Sequence, residues 1–177
     1  MRNGLCAAAV VFVVSSAVAA AVQPPAEGSH APAFSLPSQE GSAVSLDQQK
    51  GKWVVLYFYP KDFTGGCTLE AHNFQRDIAQ YQKLNAVVLG VSLDTVDSHK
   101  SFCEKEGLSF KLLADTDHKV AEAYGSLMDA QGQNFAARNT FLIDPSGVVR
   151  KVYLKVKPAQ HSAQVLTALG ALQAQTK

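Results

Sequence analysis

The sequence has no marked excess of either charge. Its 177 residues include 16 Lys and Arg against 15 Asp and Glu, which gives a formal net charge of +1. Proteins that bind a phosphate backbone, or that carry acidic interaction tails, show a clear charge imbalance. We therefore expect no nucleic acid partner.

Several motifs of common cofactor and catalytic sites are also absent. The chain has no P-loop, no G-x-G-x-x-G and no G-x-S-x-G. Its histidines show no metal-ligand spacing and no accompanying carboxylate cluster. They are His30, His72, His99, His118 and His161. We infer no metal, haem or flavin.

Cysteine is scarce, and one of the three cysteines, Cys6, falls in an N-terminal segment with the features of an export signal. Arg2 supplies a positive charge, an apolar run follows, and cleavage after Ala19 or Ala21 satisfies the small-residue rule. We predict a secretory signal peptide over residues 1–21 and export, with the bacterial periplasm as destination. The alternative is an uncleaved membrane anchor, because the apolar run approaches spanning length.

After cleavage, the mature chain keeps only Cys67 and Cys103. Two cysteines in an exported protein are compatible with a disulfide. That bond would be either a structural cross-link or a redox couple, and the sequence around Cys67 has to decide.

After the predicted signal peptide, the sequence predicts a linker followed by one α/β domain. Residues 22–32 are rich in Pro, Ala, Gly and Ser, and residues 33–177 hold alternating strand and helix patterns. This order predicts a central mixed sheet with helices on both faces. The expected strands are Phe34–Leu36, Ala43–Leu46, Trp53–Tyr59, Ala86–Leu93, Phe110–Leu113, Asn139–Ile143 and Val148–Leu154. The expected helices begin near Cys67, after Asp94 or Thr95, after Asp117 and near Ala159.

Cys67 is placed by periodicity in the first turn of a helix. Apolar residues recur from it at alternating spacings of four and three. A helix N-terminus favours a thiolate over a thiol, and the thiolate is the nucleophile. The alternative is that Cys67 is simply a small buried apolar residue.

The segment from Tyr59 to Glu70 decides between these interpretations. It contains Pro-x-x-x-Thr-x-x-Cys at Pro60, Thr64 and Cys67, and so resembles the active site of the peroxiredoxins. The resemblance extends from about Gly28 to the last helix and is to the bacterioferritin comigratory protein, or peroxiredoxin Q, subgroup. It implies a thioredoxin-like fold and a thiol-dependent peroxidase with Cys67 as the nucleophile.

The same resemblance implies roles for four further residues. Pro60 would shield the thiolate, and the Thr64 hydroxyl would hold the peroxide in line. Arg138 would stabilise the thiolate and the transition state; taken alone it could be a surface charge at a strand edge. Glu70 would either orient Arg138 or be a solvated residue of the first helical turn.

Cys103 is the candidate resolving cysteine. Its position resembles that of the resolving cysteine in subgroup members that carry this residue in the next helix. Other members carry it five residues after the nucleophile, where this chain has His72. A Cys67 sulfenic acid would condense with Cys103 to a disulfide. Two helical cysteines can lie farther apart than a disulfide spans, so we predict that both helices unwind locally. Alternatively, Cys103 is a packing residue and an external thiol acts.

The expected substrates are hydrogen peroxide and organic hydroperoxides, with re-reduction by a thioredoxin-like donor. An intramolecular disulfide needs no second subunit, which favours a monomer with no membrane contact after signal cleavage. The main alternative is an exported thioredoxin-like thiol-disulfide oxidoreductase, which the absence of Cys-x-x-Cys at Cys67 disfavours. A second alternative is a redox-inactive chaperone or sensor.

Overall fold

The computed structural model describes residues 22–175. The predicted signal peptide, Cys6 and most of the apolar run of the alternative membrane anchor therefore lie outside the described residues. Among the residues that are described, no helix is long and apolar enough to cross a membrane.

The described chain contains nine strands, four α-helices and a short 3-10 helix at Asp47–Gln49. The strands are β1 (Ser35–Pro37), β2 (Ala43–Ser45), β3 (Trp53–Phe58), β4 (Ala86–Ser92), β5 (Lys111–Ala114), β6 (Leu127–Ala130), β7 (Gln133–Ala136), β8 (Thr140–Ile143) and β9 (Val149–Tyr153). The helices are α1 (Gly65–Lys83), α2 (Val96–Glu106), α3 (Lys119–Ala123) and α4 (Pro158–Gln175).

Five of the strands form the central sheet, in the order β5-β4-β3-β8-β9. Strands β3, β4 and β5 run parallel, whereas β8 pairs antiparallel with both β3 and β9. All six residues of β3 are buried, as expected for a central strand covered on both faces. The mixed sheet of the sequence prediction is confirmed.

Alternate residues of β3 divide the core into two clusters. Val55 and Tyr57 pack with apolar residues of α1, α2 and α4 on one face. Val54 and Leu56 pack with residues of α3 and β1 on the other. Helices therefore cover both faces, as predicted, and the two cysteines of the described chain lie in the same cluster, on the α1 side.

The local signals around α2 are confirmed, but the start of α3 was predicted wrongly. Thr95 caps α2 by accepting from the Ser98 N–H, and Gly107 ends the helix with φ 65°. The N-cap of α3 is His118, not Asp117. Of the α3 backbone N–H groups, Asp117 accepts only from that of Lys119, at 3.3 Å. The two carboxylate oxygens of the buried Asp115 accept from the next two N–H groups in the first turn, at 3.2 and 2.6 Å.

Two further features go beyond the sequence prediction. The β6–β7 hairpin was not predicted; most of its residues are exposed, so no buried apolar run marks its strands. In the segment interpreted as a linker, the Gly28 N–H donates to the Val149 oxygen at 2.7 Å and the Ala31 N–H to the Gly147 oxygen at 2.9 Å. These bonds hold residues 28–31 against the β8–β9 hairpin.

Candidate active site

Cys67 lies in the first turn of α1, the position predicted from periodicity. The helix begins at Gly65, with Thr64 in extended conformation as its N-cap residue. The Cys67 residue is only 2% exposed. The sulfur is thus sheltered at a helix N-terminus, where the unpaired backbone N–H groups favour negative charge.

Arg138 connects the cysteine to a buried carboxylate. Its guanidinium donates one hydrogen bond to Cys67 Sγ at 3.2 Å and another to Glu70 Oε2 at 2.5 Å. The Arg138 side chain is 16% exposed, so its interpretation as a surface charge is wrong. The interpretation of Glu70 as a solvated first-turn residue is also wrong, because this residue is fully buried.

The burial of Glu70 has an electrostatic consequence. Burial raises the pKa of this carboxyl, the charge and hydrogen bond of Arg138 lower it in part, and the resulting pKa is about 7. The second carboxylate oxygen, Oε1, is buried without a hydrogen-bond partner. Glu70 can therefore change its protonation state near neutral pH while remaining in contact with Arg138.

The loop before α1 brings Pro60 and Thr64 to the same end of the helix. Pro60 is half-buried after β3, and the exposed Thr64 donates its hydroxyl to the Lys61 carbonyl at 3.0 Å. At Gly66, a Cβ atom would lie 3.3 Å from a terminal nitrogen of Arg138. Glycine therefore allows the guanidinium to approach the backbone next to the cysteine.

Cys103 lies in α2, buried and with a free thiol, as is Cys67. Burial is the main cause that raises the pKa of the Cys103 thiol, to about 12. In this conformation Cys103 is a neutral packing residue of the core around Tyr57 and Phe102.

A buried carboxylate–histidine contact was missed by the sequence analysis. His99 Nδ1 lies 2.9 Å from Asp62 Oδ2, and both side chains are almost completely inaccessible to solvent. A single carboxylate thus accompanies His99, without forming the carboxylate cluster of a metal site. No local pattern could have revealed the pair, since 37 positions separate the two residues. Across residues 22–175, no cluster of three or more His, Cys, Asp or Glu could hold a metal ion.

Comparison with known proteins agrees with this geometry. Residues 28–152 match the AhpC/TSA family. A putative peroxiredoxin Bcp of Coxiella burnetii is 48% identical over 146 residues, covering 80% of this chain and 97% of the relative. Peroxiredoxin Bcp of Bacillus subtilis is 43% identical over 146 residues, covering 80% of this chain and 93% of the relative.

Solved structures give the same result. Peroxiredoxin Q of Xanthomonas campestris is 39% identical, with a TM-score of 0.74, over 78% of this chain and 90% of the other. A variant of peroxiredoxin Q of Xylella fastidiosa is 32% identical, with a TM-score of 0.78, over 84% of this chain and 99% of the other. The thioredoxin-like peroxiredoxin fold is thereby confirmed.

The chain belongs to the AhpC/TSA family, and it is a thiol-dependent peroxidase of that family. Within the family, it shares the sequence and structural features of the bacterioferritin comigratory protein and peroxiredoxin Q group. The thiol-disulfide oxidoreductase alternative gains no support from these relatives, which are named peroxiredoxins.

Proposed function

We propose that Cys67 reduces peroxides in a cycle that passes through a Cys67 sulfenic acid. The thiolate attacks the terminal peroxide oxygen, the O–O bond breaks, and the leaving oxygen takes a proton to become water or an alcohol. The single observation that carries this proposal is the pair of hydrogen bonds from Arg138 to Cys67 and Glu70. A fixed guanidinium stabilises both the thiolate and the charge that develops on the oxygens.

Pro60 and Thr64 complete the proposed peroxide site. Pro60 would keep water from the sulfur, and Thr64 would turn its hydroxyl from the Lys61 carbonyl towards the peroxide. We include organic hydroperoxides among the substrates. The bacterioferritin comigratory protein of X. campestris has alkyl peroxide reduction activity. In this chain, the exposed side chains of Phe63 and Leu69 offer apolar surface near Cys67 in the sequence.

In the second half of the proposed cycle, the Cys103 sulfur attacks the Cys67 sulfenic acid, an S–S bond forms, and water leaves. Two solved serine variants of X. campestris peroxiredoxin Q replace cysteines that are separated by the same number of residues as Cys67 and Cys103. Because Cys103 is buried in α2, we propose that α2 and the first turn of α1 unwind locally before the disulfide forms. A thioredoxin-like dithiol donor would then supply two electrons and restore both thiols.

The cellular setting is part of the same proposal. The N-terminal sequence pattern supports a cleaved signal peptide and a periplasmic location. An intramolecular disulfide supports a monomer, since no second subunit is required for resolution.

Rapid mixing followed by mass spectrometry tests the chemical cycle. Reduced protein is mixed with hydrogen peroxide or an alkyl hydroperoxide, and the reaction is stopped with a thiol-alkylating reagent. The wild type is expected to form an internal disulfide and consume peroxide with a dithiol donor. Cys67→Ser should abolish this oxidation, whereas Cys103→Ser should accumulate sulfenic acid without an internal disulfide.

Two outcomes would overturn parts of the proposal. Undiminished peroxide consumption by Cys67→Ser would remove Cys67 as the nucleophile. A monomeric internal disulfide in Cys103→Ser would remove Cys103 as the resolving residue. A catalytically silent wild type would instead favour the chaperone or sensor alternative.

A further inference from the structure

A buried polar cluster joins the loop before Cys67 to helix α2. Asp62 stands in that loop, and its carboxylate accepts three side-chain hydrogen bonds. They come from the Tyr59 hydroxyl at 2.7 Å, the Ser98 hydroxyl at 2.7 Å and His99 Nδ1 at 2.9 Å. We refer to Tyr59, Asp62, Ser98 and His99 as the Asp62 cluster.

The carboxylate of Asp62 acts as the acceptor throughout the cluster. Burial raises the pKa of Asp62, but the hydrogen bond and charge of His99, with help from Ser98 and Tyr59, bring it below its ordinary value. An ionised carboxylate can only accept, so His99 Nδ1 carries the proton of their shared hydrogen bond.

Two further contacts connect the same loop to the same part of the fold. The backbone N–H of Asp62 donates to Asp94 Oδ2, just before α2, at 2.9 Å. The Phe63 ring packs edge-on against the Phe102 ring, with centroids 5.1 Å apart. The loop that leads into Cys67 is therefore attached along α2, up to the residue that precedes Cys103.

We propose that Asp62 is a positioning residue that controls the relative rates of the two chemical steps. Attached to Ser98 and His99, it holds the loop and α2 in the packed conformation in which Cys67 meets peroxide. Released from them, it allows Cys103 to reach the Cys67 sulfenic acid. The inference rests on the proposed Cys67–Cys103 cycle and identifies the contacts that must break within it.

Two features destabilise the packed conformation. They make it easier for the contact between the loop and α2 to open in every cycle. His99 Nε2 is buried without a hydrogen-bond partner, and water could reach it once α2 loosens. Phe63 has a φ of 60°, an unfavourable conformation for a bulky side chain, which an unfolded loop would relieve. The Asp62 cluster holds the packed state against these two costs.

Separate measurement of the two steps tests the role of Asp62. Asp62→Asn is made in the wild type and in Cys103→Ser. The second background isolates sulfenic acid formation, and the first reports disulfide formation. We expect the variant to form sulfenic acid about tenfold more slowly and the disulfide several times faster, since it weakens hydrogen bonds to a charged group.

A third readout uses excess peroxide, where oxidation of Cys67 to sulfinic acid competes with disulfide formation. Asp62→Asn should yield less sulfinic acid per turnover than the wild type. A loss of stability elsewhere in the fold has no reason to slow one step while accelerating the next, so opposite changes in rate place the effect of Asp62 at the contact between the loop and α2.

Asp115→Asn is the matched control, because Asp115 is also a buried carboxylate but accepts from backbone N–H groups of α3, whose apolar residues pack on the opposite face of the sheet. It should lower stability and leave the ratio of the two rates unchanged. At His99, asparagine keeps a donor near Nδ1 and leucine does not. In His99→Asn, the ratio of the sulfenic acid rate to the disulfide rate should therefore remain close to that of the wild type. His99→Leu should change this ratio as Asp62→Asn does.

Ser98→Ala removes a single hydrogen bond and covers the case in which Asp62→Asn fails to fold. As in Asp62→Asn, sulfenic acid formation should become slower and disulfide formation faster. Each rate should change by about two- to threefold, a smaller effect than the loss of the carboxylate. The positioning role would be overturned if folded Asp62→Asn left both rates unchanged or changed both in the same direction. If Asp62→Asn does not fold, the same outcome in Ser98→Ala would overturn it. Failure of the underlying cycle would be seen separately, as a wild type that forms no Cys67–Cys103 disulfide.

Discussion

Arg138 joins Cys67 to Glu70, with hydrogen bonds of 3.2 Å to the sulfur and 2.5 Å to the carboxylate. One guanidinium thus contacts the reacting atom and a fully buried carboxylate, and neither contact can be kept without constraining the other. A planar group with several donors suits this position better than an ammonium does.

Replacement of Arg138 should therefore slow the peroxide step. We expect Arg138→Met to lower the second-order rate constant of Cys67 oxidation by about 10²- to 10³-fold, the range found when one donor to a developing charge is removed. Arg138→Lys should recover only part of this loss. Rapid-quench oxidation measures the rate constant, and Arg76→Met serves as a control because Arg76 is an exposed arginine that bonds Asn73 and Asp77. Equal rates in Arg138→Met and the wild type would contradict the prediction.

Glu70 should leave a signature in the pH dependence of stability. Its pKa rises from 4.5 to about 7 in the folded protein, so the folded state binds more protons between these values. This contribution to stability is fully present below about pH 4.5 and is lost as pH rises through 7. Chemical denaturation of wild type and Glu70→Gln at several pH values measures it.

The difference between wild type and Glu70→Gln should change by up to about 1.4 kcal/mol per pH unit in this window, the value for one proton. Glu122→Gln, at an exposed glutamate of α3, should show no such change relative to the wild type. A difference that does not vary with pH would mean that Glu70 stays ionised throughout.

The Cys103 thiol should be unreactive while the reduced protein is folded. Burial raises its pKa to about 12, which leaves very little thiolate at neutral pH. In Cys67→Ser, iodoacetamide should modify Cys103 about 100-fold more slowly in native buffer than in denaturant, by peptide mass spectrometry. Reaction should accelerate with pH. Similar rates in both solvents would contradict the burial of Cys103.

Disulfide formation should loosen α2 and the start of α1. Hydrogen exchange in the reduced and disulfide forms measures this, and amides around Cys67 and Cys103 should exchange at least about tenfold faster in the disulfide form. Helix α4 provides the internal reference. Comparable protection at both cysteines in the two forms would argue against local unwinding.

Gly90 should tolerate no side chain, because a Cβ atom there would lie 2.6 Å from Leu112 and 2.7 Å from the Tyr57 ring. Gly90→Ala should reduce the free energy of unfolding by about 1–3 kcal/mol through overpacking. The matched control is Gly170→Ala in α4, where no atom lies within 4 Å of the added Cβ. It should stabilise the protein by about 0.5–1 kcal/mol. Denaturant melts of both variants provide the measurement.

The sequence allowed prediction of features that depend on neighbours in the chain. The buried run of β3, the cap at Thr95 and the helix start at Cys67 follow from local patterns of apolar and capping residues. Contacts between distant segments were harder to anticipate. The buried carboxylate of Glu70 has its hydrogen-bond partner in Arg138, 68 positions away. The buried carboxylate of Asp62 has one of its partners in His99, 37 positions away. No local periodicity encodes either pair, and the role of Arg138 was anticipated only through resemblance.

The order of β3, β4 and β5 in the sheet has a consequence for the chemistry. Strand β4 is added on one side of β3, and β5 is added on the same side of β4. Crossover connections between parallel strands are almost always right-handed. Two successive right-handed crossovers in one direction place α1 and α2 on the same side of the sheet. Had β5 been added on the far side of β3, the sheet would separate the two thiols. The handedness of the chain therefore places Cys67 and Cys103 on the same face of the sheet, as the proposed internal disulfide requires.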